Sequence, residues 1–106
     1  MFRQGDVLIL PLDALPVDAR RRSQRSDGVV LATGEATGHA HSIRDGAVRE
    51  YDWLAAEDAP SQHLLEVLGP CTVTHEEHDP IPLSPGVYRV IRQREYRDGV
   101  VEDVVD

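Results

Sequence analysis

Five histidines stand in this chain, and four fall in two tight pairs, His39/His41 and His75/His78. In His39-Ala40-His41 the spacing is two. On a strand, side chains repeat every two residues, so both imidazoles leave from one face. Two ring nitrogens on one face can meet a single cation at the roughly 2.0–2.1 Å typical of zinc–imidazole bonds. Gly34 and Gly38 precede the pair and let the backbone turn sharply before it. In His75-Glu76-Glu77-His78 the spacing is three. If that segment stays extended, His75 and Glu77 share a face. If it turns ahead of Pro80, positions i and i+3 converge and both histidines reach one ion.

Three ligand sets follow: four histidines, three histidines with an open position, or two or three histidines with Glu77. Neutral imidazoles suit zinc, iron, nickel and copper, and a divalent transition metal, zinc first, is the expected cofactor. Four histidines would close a structural site. Three would leave a position for water or a small-molecule ligand, with Glu77 or Glu35 as the base. Glu35, four residues before His39, could also ligate or fix an imidazole tautomer, although a solvated loop carboxylate is its plainer reading. His63, between Gln62 and Leu64, reads as a surface residue, and Cys71 as a small apolar one.

Composition removes several other chemistries. The chain has 106 residues, 11 basic and 19 acidic, for a formal charge of −8. It contains neither lysine nor asparagine. Schiff-base chemistry, lysine bases, the P-loop lysine and a Cys-His-Asn triad are therefore out. The acidic field opposes general nucleic-acid binding. One cysteine cannot make an internal disulfide, no apolar run nears the roughly 20 residues of a membrane span, and the start lacks a secretory pattern. A cytoplasmic chain is expected. The length suits one domain over 1–106.

The elements that must hold the histidines read as β throughout. Apolar runs at 7–10 and 29–32, bounded by Gly-Asp, proline and Asp-Gly, are short buried strands. Between them, 18–27 is a polar, arginine-rich loop. Asp45-Gly46 between 39–44 and 47–51 predicts a two-residue β-hairpin, because a type I′ turn favours Asp-Gly. The stretch after Tyr51 is open to a helical turn or a loop. Runs at 64–68 and 71–75 flank Gly69-Pro70 as strands. A long strand over 87–96 puts Tyr88, Val90, Arg92, Arg94 and Tyr96 on one face, and Asp98-Gly99 pairs it with 100–105. About eight short strands predict an all-β domain, a single small antiparallel β-barrel or sandwich. Arg89, Arg92, Arg94 and Arg97 are read as pairing across strands with acids such as Glu102 and Asp103.

Three resemblances attach to these residues. The segments Gln4-Gly5-Asp6-Val7-Leu8-Ile9, Thr37-Gly38-His39-Ala40-His41, His75-Glu76-Glu77-His78 and Gln93-Arg94-Glu95-Tyr96 together resemble a family of small uncharacterised bacterial proteins, which brings no activity with it. His39 and His41, Asp45 and the later Pro85-Gly86 are similar in layout to a cupin, and that likeness implies a metal site inside a β-barrel. It departs in placing tyrosine, not histidine, after the Pro-Gly. Gly5-Asp6-Val7-Leu8-Ile9 followed by Asp27-Gly28-Val29-Val30-Leu31 looks like the opening of a chaperonin-10 barrel, without that family's apolar loop tip.

The leading expectation is a small β-barrel holding one transition metal through His39, His41, His75 and His78, with hydrolytic or other small-molecule chemistry at an open position. The alternatives are a metal-free adaptor presenting a strand edge or the arginine loop to a protein partner, and a metal-free acid–base enzyme using histidine and glutamate in a pocket.

Overall fold

The computed structural model describes residues 1–24, 28–33 and 39–92. Within them lie ten strands: β1 (Phe2–Gln4), β2 (Val7–Leu12), β3 (Arg20–Arg21), β4 (Val29–Thr33), β5 (Ala40–Ile43), β6 (Val48–Trp53), β7 (Gln62–Val67), β8 (Cys71–Thr74), β9 (Ile81–Leu83) and β10 (Gly86–Arg92). The fold is all-β. Six strands form one sheet in the order β1-β2-β10-β7-β6-β3, and four form a second, β4-β5-β8-β9. Every pairing is antiparallel. Of the expected barrel or sandwich, the all-β, antiparallel character is present, while among the described residues no ladder joins the two sheets into a closed barrel. Among the described residues no helix is long and apolar enough to cross a membrane.

Alternation builds one core from both sheets. Val7 and Ile9, Leu65 and Val67, and Tyr88 and Val90 come from the larger sheet. Leu31, Ile43, Val73 and Leu83 come from the smaller one. Each such side chain stabilises the fold by about 1.5–3 kcal/mol on burial, before chain entropy is counted. β10 is paired with β2 on one side and β7 on the other, and its Tyr88 and Val90 share one face, as the alternation predicted; that face is the core's. Pro11, expected to end β2, lies within it. Because β1 pairs only Val7 to Ile9, one side of β2 is an edge beyond that point, where a missing N–H is tolerated.

The expected hairpin at Asp45-Gly46 is not formed. β5 pairs with β4 and β8, whereas β6 pairs with β3 and β7, so the turn carries the chain from one sheet to the other. Tertiary contacts dictate this. Asp45 Oδ1 accepts a hydrogen bond from the Thr72 N–H at 2.9 Å. Gly46 has φ +74°, and a Cβ there would lie 2.7 Å from both Cys71 Cβ and the Pro70 carbonyl oxygen. Asp-Gly is thus used for a sheet-to-sheet corner packed on a second corner at Gly69-Pro70. The Leu68 N–H, donating to the Ala47 carbonyl at 2.8 Å, ties the two corners together.

Two further readings change. Of the stretch left open to a helical turn or a loop, Tyr51–Trp53 complete β6 and 54–57 follow without helix. Arg20 and Arg21, within the stretch read as loop, form an edge strand on β6. Glu35, Gly34, Gly38, Arg94, Tyr96, Arg97 and the hairpin expected at Asp98-Gly99 lie outside the described residues.

Candidate metal centre

The smaller sheet delivers both histidine pairs to one place. His39 leads into β5 and His41 lies on it; His75 follows the end of β8, and His78 sits in the bend beyond. The β5–β8 ladder pairs Ser42 with Thr74, so His41 and His75 follow in adjacent positions. Their ring centroids are 4.3 Å apart. His75 is the hub of the cluster, with His78 at 4.6 Å and His39 at 5.6 Å. The chain turns ahead of Pro80, as the i, i+3 alternative required.

The turn also exchanges the two glutamates. Strand alternation would have set Glu77 beside His75. Because the chain leaves the strand after Thr74, Glu76 swings back to β5, where its carboxylate accepts the Ala40 N–H at 3.0 and 3.3 Å. Hydrogen bonds from its own backbone N–H and from Ala40 hold that carboxyl below the usual carboxylate range, with His39 and His75 adding to the effect. One ligand atom each from His39, His75 and Glu76 lies within 4.8 Å of the other two. Glu77 stands at the rim, its Oε1 3.4 Å from His39 Nδ1.

The larger sheet closes the floor of this cluster through its first turn. Gln4, buried at the end of β1, donates from Nε2 to the carbonyls of Val73 (3.1 Å) and Asp79 (2.9 Å). Both amide protons are thereby used, so Oε1 accepts, and the His41 Nδ1 at 2.9 Å must carry the proton. In the neutral ring His41 Nε2 then holds the lone pair a metal would take; Asp6 Oδ1, 3.4 Å away, pairs with it only when that nitrogen also carries a proton. Asp6 is tied on its other oxygen to Arg92 Nη2 at 3.2 Å. Gly5, at φ +60°, leaves the space these rings need: a Cβ there would lie 2.8 Å from His78 Nε2 and 3.3 Å from His41 Cε1.

In His75 the tautomer is set the other way. The Glu77 N–H donates to its Nδ1 at 3.0 Å, so a neutral ring carries its proton on Nε2. Ligation through Nε2 would need that bond given up, at a net cost of roughly 0.5–1.5 kcal/mol. Structural zinc sites in finger peptides bind with about 10–16 kcal/mol, so the cost is minor beside the gain.

Sequence reasoning therefore placed His39, His41, His75 and His78 together, and the structure does bring them together. It missed Glu76, Gln4, Gly5 and Asp6. A polar Gln-Gly-Asp turn opening an apolar strand was the available signal for the last three. His63, read as a surface residue, is instead mostly buried on β7, with its Nε2 2.8 Å from Glu50 Oε2. Burial, aided by Arg22, pulls its pKa below 6.5 despite the acids beside it. Cys71 is buried as expected, and burial pushes its thiol up.

The His63 shift has a definite sign. Below pH 6.5 the unfolded chain takes up this proton more readily than the folded one, so stability is full above 6.5 and is lost as pH falls towards the lowered folded value. Urea unfolding of wild type and His63→Gln at about pH 7.5 and about pH 5.5 should show a smaller acid loss in the variant. Equal losses would contradict the assignment.

Fold and cluster together define an all-β domain of two antiparallel sheets with a histidine–carboxylate cluster where β5 begins and β8 ends. The chain belongs to the domain-of-unknown-function family DUF8820, whose model matches residues 3–93. No curated protein and no solved structure matches it.

Proposed function

We propose that this protein binds one divalent transition metal at the histidine cluster, with His39, His75 and Glu76 as the inner ligands and His41 and His78 completing the shell. The observation that supports this is convergence: three histidines from two distant segments gather around His75, with a carboxylate already aimed at the same space. Nitrogen and oxygen donors in this mixture suit zinc first, then iron or nickel, and copper. Where only His39, His75 and Glu76 ligate and His41 and His78 stay outside the shell, the set resembles catalytic sites that keep a position for water, and Glu77, 3.4 Å from His39, would serve as base for such a water. Hydrolytic or other small-molecule chemistry at that position is the activity proposed.

Protein purified without a histidine tag should contain about one equivalent of metal by elemental analysis and should lose stability when treated with chelator. Acid should release the ion as the imidazoles protonate below roughly pH 6.5. Substoichiometric metal with no chelator effect, or metal content unchanged through about pH 5, would sink the proposal.

A further inference from the structure

Away from the histidine cluster, the larger sheet forks. The β10–β7 ladder ends at Val90 and His63. Beyond that pair β10 stays on β2 as far as Arg92, and β7 stays on β6 back to Gln62, so the two strands part. A cavity of about 580 Å³ lies against both arms of the fork, lined by residues 61–63 on one and 89–92 on the other. A cavity in such an opening can be lined from both faces of a strand, which is how Arg89 and Val90 come to share it. Pockets for small ligands typically span about 300–1,000 Å³.

The described residues of its wall include three arginines and no acid. Arg22 is spent: it donates from Nε and Nη2 to the two oxygens of Asp52 at 2.9 and 2.7 Å, and from Nη1 to Glu50 at 3.1 Å. Arg92 is spent in part. Its Nη2 donates to Asp6 at 3.2 Å, while its Nε is buried with no partner. Among the described residues, arginine–carboxylate pairs form at Arg22, Arg49 and Arg92, and none forms at Arg89. Yet Arg89 is half-buried, and its direct ladder partners are Leu10 and Leu64. Arginine taken out of water is ordinarily paired, and an idle buried donor calls for an acceptor. The hydroxyl of Ser61 and the amide of Gln62 add neutral donors on the other arm. Leu31, Ala59, Pro60 and Ile91 make much of the remaining wall apolar. The charges also limit the ligand. One uncompensated cation balances one negative charge, whereas Asp52 and Glu50, two acids on the single Arg22, repel a second.

We propose that the fork binds a small organic acid, its single carboxylate held by Arg89 with Arg92, Ser61 and Gln62 as further donors, and its compact apolar body set against Leu31 and Ile91. A planar guanidinium matches a carboxylate through two parallel N–H···O bonds. The site is independent of any metal at the histidine cluster. Benzoate, benzyl alcohol and phenyl phosphate serve as singly charged, neutral and doubly charged probes, titrated into the full chain and followed by amide NMR shifts. Benzoate should shift residues 61–63 and 89–92 and bind about 10–100-fold more tightly than benzyl alcohol, the range that a hydrogen bond to a charged group supports. Phenyl phosphate should bind more weakly than benzoate. Absence of benzoate binding, equal or tighter binding of either other probe, or benzoate shifts confined to the histidine cluster would overturn the proposal. Arg89→Gln should abolish the preference for benzoate, and Arg89→Lys, which keeps the charge, should retain part of it. A preference that survives in Arg89→Gln counts equally against the assignment. If the glutamine variant fails to fold, the comparison of the three probes on the wild-type chain decides by itself.

Discussion

His75→Ala should lower metal affinity by more than about 100-fold, beyond the 10–100-fold that loss of a supporting residue outside the ligands typically costs. The expectation follows from position. His75 is the ring that neighbours the other three, and it lies in the one group whose donor atoms already approach within 4.8 Å. Glu76→Gln should also weaken binding, because it removes the charge while leaving an oxygen able to accept the Ala40 N–H. Glu77→Gln should leave affinity nearly unchanged, since that side chain is 65% exposed and touches the cluster only through His39. Isothermal titration with zinc measures all three. A loss in Glu77→Gln larger than in Glu76→Gln would reassign the carboxylate ligand. Circular dichroism of the metal-free forms separates lost ligation from lost fold.

The second large effect is expected at Gln4, which no simple chemical motif marks. Gln4→Leu keeps the volume but strands two carbonyl oxygens, of Val73 and Asp79, and the His41 Nδ1 proton. Each buried group left without a partner costs about 1–3 kcal/mol, so a loss of roughly 2–5 kcal/mol in urea unfolding is expected after partial relaxation. Metal affinity should fall as well, by about 10–100-fold, because the ring of His41 loses the bond that fixes its tautomer. Gln4→Glu separates the two consequences: it retains an acceptor for His41 while breaking the clasp on β8 and the bend beyond it. Unfolding free energies within about 0.5 kcal/mol of wild type for Gln4→Leu would show that the clasp is dispensable.

Much of this domain is legible along the chain because its information is local. Short apolar runs between Gly, Pro and Asp gave strands at 7–10, 29–32, 64–68 and 71–75, near the observed β2, β4, β7 and β8. The period-two spacing of His39 and His41 and the proline after His78 pointed to convergence. The readings that failed turned on partners far away in sequence. Asp45-Gly46 has hairpin chemistry, yet the partners of β5 and β6 are elsewhere, and the close approach of Gly46 to Pro70 and Cys71 exists only once both corners are folded. His63 stands between Gln62 and Leu64, a polar context, but its register opposite Val90 turns it towards the core with Leu65 and Val67.

The sequence by itself determined the β character of the chain, the exclusion of lysine-based chemistry, and the four histidines as the residues to watch. Those conclusions need only residue types and spacings. Tertiary structure decided which glutamate joins them, because Glu76 is held by the Ala40 N–H across the β5–β8 junction and Glu77 is not. It also decided that the first turn, Gln4-Gly5-Asp6, forms the floor of the cluster. Its hydrogen bonds span 69 and 75 residues to Val73 and Asp79, a separation over which no local pattern carries information.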